Sequence, residues 1–213
     1  MIIGPDFVWL HFPKCAGTTL ELALRDLLAD RPGVQFDEID EETGHWHHSI
    51  AERQAEDPTF DVSGKKVFCC IRRLPSWLLS RTMFELSRNE FLVPSRYMLA
   101  EGKFFAGVGN AVNQADEYVE LYRDDVHKWL RTEHLASDVS RAFSLDLAAV
   151  KAALTKHRTR ITPPYVKRVE FWFTDEDLEH LYEANPLWAE VERKVYGTTA
   201  PTALRQSLVT MRG

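Results

Sequence analysis

Apolar residues follow two alternating rhythms along this chain: short unbroken runs and longer stretches with helical spacing. Phe7-Val8-Trp9-Leu10 is an uninterrupted apolar run, the pattern of a strand buried on both faces. Thr19-Leu20-Glu21-Leu22-Ala23-Leu24-Arg25-Asp26-Leu27-Leu28 then takes up the helical period, so a strand, a tight loop and a helix are predicted in that order. Arg31-Pro32-Gly33 ends the helix, Val34-Gln35-Phe36 starts a second strand, and Ser49 to Ala55 reads as a short helix. Lys65-Lys66-Val67-Phe68-Cys69-Cys70-Ile71 is the clearest further strand, and Pro75, suited to a helix's first turn, introduces a helix through Trp77 to Phe84.

Residues 89–112 break this rhythm with Pro94, Gly102, Gly107 and Gly109, a composition that suits a flap or an edge insertion. Gln114 to Arg123 returns to helical spacing, and His127-Lys128-Trp129-Leu130 reads as a strand. Leu145 to Lys156 reads as a helix with Ser144 as its cap. Thr174-Asp175-Glu176-Asp177 resembles a capping box, with Asp177 where Glu or Gln is usual, and opens a helix through Leu178, Leu181 and Tyr182. Strands alternating with helices predict an α/β three-layer sandwich with a mainly parallel central sheet and helices on both faces.

Length and composition narrow this picture. With 213 residues and 45% hydrophobic content, one domain is expected over 1–197, with 89–112 as its flap or insertion and 198–213 as a loosely ordered tail. The net charge of −6 argues against a nucleic-acid partner, which calls for a basic stripe. Cys15, Cys69 and Cys70 cannot all pair, and no C-x-x-C spacing offers a structural zinc site, so they read as reduced thiols of a cytoplasmic protein. The first residues enter a strand-like run without the signature of a signal peptide, and no run approaches the roughly 18 apolar residues of a membrane span.

The candidate chemistry begins between the first strand and its helix, at His11-Phe12-Pro13-Lys14-Cys15-Ala16-Gly17-Thr18-Thr19. A strand-to-helix loop presents unpaired backbone N–H groups and the positive end of the helix dipole, and so can hold a phosphate without a broad basic surface. Lys14 adds a mobile ammonium, Gly17 allows close backbone approach, and Thr18 and Thr19 carry hydroxyls that can donate to phosphate oxygens. The G-x-x-x-x-G-K-S/T pattern of nucleoside triphosphatases is missing, because the lysine precedes the glycine, and this disfavours magnesium-dependent ATP chemistry.

At these residues the chain resembles the PAPS-dependent sulfotransferases, in particular the carbohydrate-sulfotransferase branch, in which a strand leads into P-K-x-x-G-T-S/T. The resemblance implies a P-loop nucleotide-hydrolase-like sulfotransferase fold. It also implies binding of the donor 3′-phosphoadenosine 5′-phosphosulfate (PAPS) and its bisphosphate product (PAP) by Lys14, Cys15, Ala16, Gly17, Thr18 and Thr19, with Lys14 at the leaving oxygen. A second segment matches: the family holds the 3′-phosphate with an arginine at a strand end and a serine eight residues on, a spacing met by Arg72 and Ser80. Pro75 stands three places after Arg72 rather than the usual two, which keeps Arg73 in competition with Arg72. Trp129 to Asp138 is similar to the family's R-x-E-x-L-x-x-D segment, with a structural role expected. Arg158 and Arg160 lie where relatives close over the nucleotide.

Sulfuryl transfer to a hydroxyl requires in-line attack, a base for the acceptor proton, and positive charge at the leaving oxygen; no metal is intrinsically required. Gly44-His45-Trp46-His47-His48-Ser49 follows the presumed second strand, where relatives carry a catalytic histidine or glutamate. His48 is the first choice as base because it precedes the helix start Ser49-Ile50-Ala51-Glu52; His45 and His47 are the alternatives. The three imidazoles could instead ligate a metal, although their spacing alone defines no ligand geometry.

The expected acceptor is a small molecule, lipid or short glycan rather than a long polyanion, given the acidic chain. Phe91, Tyr97, Phe104 and Phe105 offer either an aromatic cover for it or core packing. A kinase using ATP and a non-catalytic nucleotide-binding module are the competing functions.

Overall fold

The computed structural model describes residues 1–39, 44–89, 94–106, 111–158 and 164–201. Its strands, in chain order, are β1 (Ile2–Ile3), β2 (Phe7–Leu10), β3 (Gln35–Phe36), β4 (Lys66–Ile71), β5 (Lys103–Ala106), β6 (Ala111–Gln114) and β7 (Lys128–Arg131). The helices are α1 (Gly17–Leu28), α2 (Ile50–Glu56), α3 (Leu74–Arg88), α4 (Arg96–Ala100), α5 (Ala115–Arg123), α6 (Leu135–Phe143), α7 (Leu147–Lys156), α8 (Asp175–Glu183) and α9 (Pro186–Tyr196). Residue contacts divide the chain into two units, Met1–Ile71 with Leu121–Thr159, and Arg72–Glu120 with Arg160–Gly213.

The first unit is built on a five-stranded sheet of order β3-β1-β2-β4-β7, with helices on both sides. β2, β4 and β7 run parallel, Val8 beside Val67 and Cys69 beside Trp129, as the alternation of strands and helices predicts. The sheet is nevertheless mixed, because β1 pairs antiparallel with both β2 and β3. Only Gly4, Pro5 and Asp6 separate β1 from β2, far too few residues for a parallel crossover, so the chain must turn back on itself. Gly4 fits that turn because a Cβ there would lie 2.2 Å from the Phe7 ring. All four β2 side chains are buried, and Trp9, Leu10, Phe12, Leu20, Leu24, Ile71 and Leu130 are fully enclosed, each contributing about 1.5–3 kcal/mol.

Helix α6 is locked to the end of β7 through Asp138. Its carboxylate accepts from the Arg131 backbone N–H at 3.0 Å and from Arg131 Nε and Nη2 at 2.9 Å, and it pairs with Arg141 at 2.5 Å. Burial pushes this carboxyl up, but the arginine hydrogen bonds outweigh it and hold Asp138 well below the usual carboxylate range. Ser144 is not the cap of α7. It is the left-handed residue that ends α6, at φ 55°, and Asp146 caps α7 by accepting from the Ala149 N–H at 2.8 Å. The capping box predicted at Thr174 is present on α8, with Asp177 bonded to the Thr174 N–H at 2.7 Å.

The second unit packs α3, α4, α8 and α9 with the antiparallel hairpin β5–β6. Trp77 stands at its centre, 4.6 Å from the Trp188 ring and 5.4 Å from that of Phe104. Asp116 caps α9 by accepting from the N–H groups of Leu187 and Trp188. Glu192 is fully buried and accepts from the Leu74 N–H, from Arg73 at 2.9 Å and from the Tyr182 hydroxyl. The start of the expected loose tail is fastened here: the Thr198 carbonyl accepts from Arg73, and the Ala200 N–H donates to Tyr182. Residues 202–213 lie outside the described residues. Of the aromatics between 89 and 112, Phe104 is core, Phe105 is half-buried, Tyr97 is 71% exposed, and Phe91 lies outside the described residues. Among the described residues no helix is long and apolar enough to cross a membrane.

Candidate functional site

The loop between β2 and α1 has an unusual backbone. Lys14 and Ala16 both take left-handed conformations at φ 62°, on either side of Cys15, whose φ is negative. Neither is glycine, and each such residue costs on the order of 1 kcal/mol. Alternating handedness is the pattern of backbone nests that bind anions, although here the Cys15 N–H already donates to the Phe12 carbonyl at 3.4 Å. The loop opens directly into α1, whose N-cap Ala16 supplies no side-chain hydrogen bond and whose first turn carries no acidic residue. The first helical bond runs from the Leu20 N–H to the Ala16 carbonyl, so Gly17, Thr18 and Thr19 precede the helix's own ladder. Thr18 and Thr19 are half-buried at the helix start, and the Thr18 hydroxyl has no partner among the described residues.

Two loop residues have other tasks than the sequence suggests. Cys15 is fully buried, so its side chain faces the core and only its backbone can serve a ligand. Gly17 is required by His11: a Cβ at Gly17 would lie 1.8 Å from His11 Nε2. The His11 ring is 2% exposed and packs 5.3 Å from Trp9, 4.4 Å from Trp46 and 4.3 Å from His47. The Thr132 hydroxyl lies 3.0 Å from the Ile71 carbonyl and 3.5 Å from that of Cys15, joining the loop to the ends of β4 and β7.

The histidine segment folds as one turn of 3-10 helix over His45–His47. Trp46 points inward at 6% exposure. His47 turns toward the loop: its Nδ1 lies 3.0 Å from the His11 carbonyl, and the Tyr122 hydroxyl donates to its own carbonyl at 2.5 Å. A carbonyl only accepts, so His47 carries its proton on Nδ1 and has its basic lone pair on Nε2. His45 and His48 turn instead to Glu56, at 3.5 and 3.4 Å. The structure therefore brings His47 to the loop, through His11, and groups His45 with His48.

Arg73 is committed within the second unit, to Glu192, the Thr198 carbonyl and the face of Tyr196 at 4.5 Å. The Arg72 guanidinium has no partner among the described residues, and Ser80 is 6% exposed in α3. Arg158 is exposed just beyond α7, and Arg160 lies outside the described residues.

Sequence reasoning missed His11 and Glu21, which sit beneath the loop with His11 Nδ1 and Glu21 Oε2 3.9 Å apart. Both are buried, and neither of those two atoms has a hydrogen-bond partner among the described residues. Burial, with the nearby His47, holds His11 well below its ordinary value and so neutral, whereas burial pushes the Glu21 carboxyl up against the opposing pull of the N-terminal ammonium and of Arg25. The signs are opposite. His11's contribution is present above the ordinary histidine range and lost on acidification, while Glu21's raised value makes its charge a cost that grows as pH rises above about 4.5. Glu21→Gln is therefore expected to raise the unfolding midpoint at pH 8 and to leave it unchanged near pH 3, as read by thermal melts at both values. A variant no more stable than the parent at pH 8 would contradict this.

No protein-family model, no curated protein and no solved structure matches the chain.

Proposed function

We propose that the protein is a sulfotransferase that moves a sulfuryl group from PAPS to a hydroxyl of a small-molecule, lipid or short-glycan acceptor. The observation that carries this reading is the strand-to-helix loop with left-handed Lys14 and Ala16, which opens into α1 at a start that no side chain caps. It gives the 5′-phosphosulfate a cradle of N–H groups, with Lys14 and the hydroxyls of Thr18 and Thr19 around it. The sulfotransferase fold, finer than the mixed α/β sheet, belongs to the same proposal. The resemblance assigns the donor's 3′-phosphate to Arg72 and Ser80, and the engagement of Arg73 elsewhere favours Arg72 of the two arginines.

In the proposed reaction the acceptor oxygen attacks sulfur in line, a new S–O bond forms, and the bond from sulfur to the 5′-phosphate oxygen breaks. The electron pair leaves on that phosphate oxygen, where Lys14 and the loop N–H groups stabilise it. His47 is the favoured base, because its Nδ1 lies 3.0 Å from the His11 carbonyl, which turns this imidazole toward the loop, and Nε2 would take the acceptor proton. The products are the sulfated acceptor and PAP, and no step calls for a metal.

A thermal-shift panel of PAP, ATP with magnesium, and AMP tests the reading at its donor. At 100 times its dissociation constant PAP is expected to stabilise the fold by about 2.7 kcal/mol, or roughly 5–10 °C, with AMP and ATP well behind. Preferential stabilisation by ATP with magnesium would replace this reading with the kinase. PAP binding without transfer of label from PAPS to any hydroxyl acceptor would leave a nucleotide-binding module.

A further inference from the structure

We propose that His45, His48 and Glu56 form a binding site for a divalent transition-metal ion of the zinc type. In a 3-10 turn residues three apart eclipse one another, so His45 and His48 project on the same side, with ring centroids 4.9 Å apart. Glu56, the last residue of α2, reaches back to both: Oε1 lies 3.5 Å from His45 Nε2 and Oε2 3.4 Å from His48 Nδ1. One donor atom from each residue lies within 4.8 Å of the other two. Donors around a tetrahedral ion with bonds of about 2.0–2.1 Å stand roughly 3.3 Å apart, and each imidazole is already near that distance from one oxygen of Glu56, His45 from Oε1 and His48 from Oε2.

Two further features point to a cation between these groups. His48 Nδ1 is buried and, although 3.4 Å from Glu56 Oε2, makes no hydrogen bond among the described residues, leaving a polar atom unsatisfied. Glu56 carries its charge at the C-terminal end of α2, where the helix dipole disfavours an anion and a bound cation would relieve the repulsion. Two imidazoles and one carboxylate select zinc, nickel or cobalt over magnesium or calcium, which prefer oxygen donors, and they leave a coordination position for water. The ion would tie the histidine turn to α2 whether or not the chain transfers sulfuryl groups, since the site shares no residue with the loop.

The full-length protein, freed of metal by a chelator and dialysed, is titrated with Zn²⁺ alone by calorimetry and with Co²⁺ alone by visible absorption. One saturating equivalent is expected, with a Co²⁺ band that Zn²⁺ displaces and with no saturable response to Mg²⁺. His45→Ala and Glu56→Gln should each weaken Zn²⁺ binding about tenfold or more. Both side chains are about half exposed, at 48% and 47%, so metal-free melting temperatures should match the parent and certify the fold. Absence of saturable Zn²⁺ binding, or binding that survives both substitutions, overturns the site.

Discussion

If the chain is the proposed sulfotransferase, replacing His47 with alanine is expected to reduce sulfuryl transfer from PAPS by about 10²- to 10⁴-fold, the usual contribution of a positioned general base. PAP affinity should hold, because the loop N–H groups, Lys14 and the threonine hydroxyls remain. Of the three neighbouring histidines, only His47 faces the loop, with its Nδ1 at the His11 carbonyl and its ring 4.3 Å from the His11 ring. His47→Gln can keep a hydrogen bond to that carbonyl but supplies no base, so it should be as inactive as the alanine variant while binding PAP normally. Added imidazole should restore part of the alanine variant's activity. Near-parental turnover in His47→Ala, with PAP binding intact, would move the base elsewhere.

Gly17→Ala should destabilise the fold by about 3 kcal/mol, the upper end of overpacking, and lower the melting temperature by roughly 6–12 °C. The new methyl would stand 1.8 Å from His11 Nε2, far inside contact distance. The ring has no room to retreat, since Trp9, Trp46 and His47 surround it. Removing the obstacle should therefore remove much of the penalty. In the double variant His11→Ala with Gly17→Ala the combined loss should fall short of the sum by about 1 kcal/mol or more, as a double-mutant cycle would read it. Additive losses would mean that the glycine is needed for some reason other than the imidazole.

The sequence was most legible where burial and periodicity agree. Phe7–Leu10, Lys66–Ile71 and the helix entering at Gly17 all appear close to their expected bounds, because continuous apolar runs and helical spacing leave few alternatives. Ile2–Ile3 is too short to carry a period, yet its antiparallel pairing makes the sheet mixed. Ser144 and Asp146 are both plausible caps by composition, and only the φ of Ser144 separates the end of one helix from the start of the next. Helix α9 was readable but went unread: Pro186 opens it, Gly197 closes it, and Trp188, Ala189 and Val191 face inward.

At the candidate site, sequence identified the loop but not what lies beneath it. Gly17 looked like an allowance for a ligand, and its nearest neighbour proves to be the ring of His11, six positions earlier. Its place before the helix start made His48 the first choice among the three histidines, whereas His48 lies against Glu56 and His47 against the His11 carbonyl. Their directions depend on a single tight turn, which sends His47 one way and His45 and His48 the other. Glu56, which gives the latter pair a geometry, lies outside the segment and could be connected to it only in three dimensions.

The pin supplied by Thr132, between the carbonyls of Ile71 and Cys15, bears on how the loop would meet a guest. A phosphate cradle that must first be ordered loses about 1–2 kcal/mol of backbone entropy per residue on association. Here that ordering accompanies folding, so on the proposed reading an anion would encounter a finished outline and the choice among nucleotides would rest on fit rather than on closure.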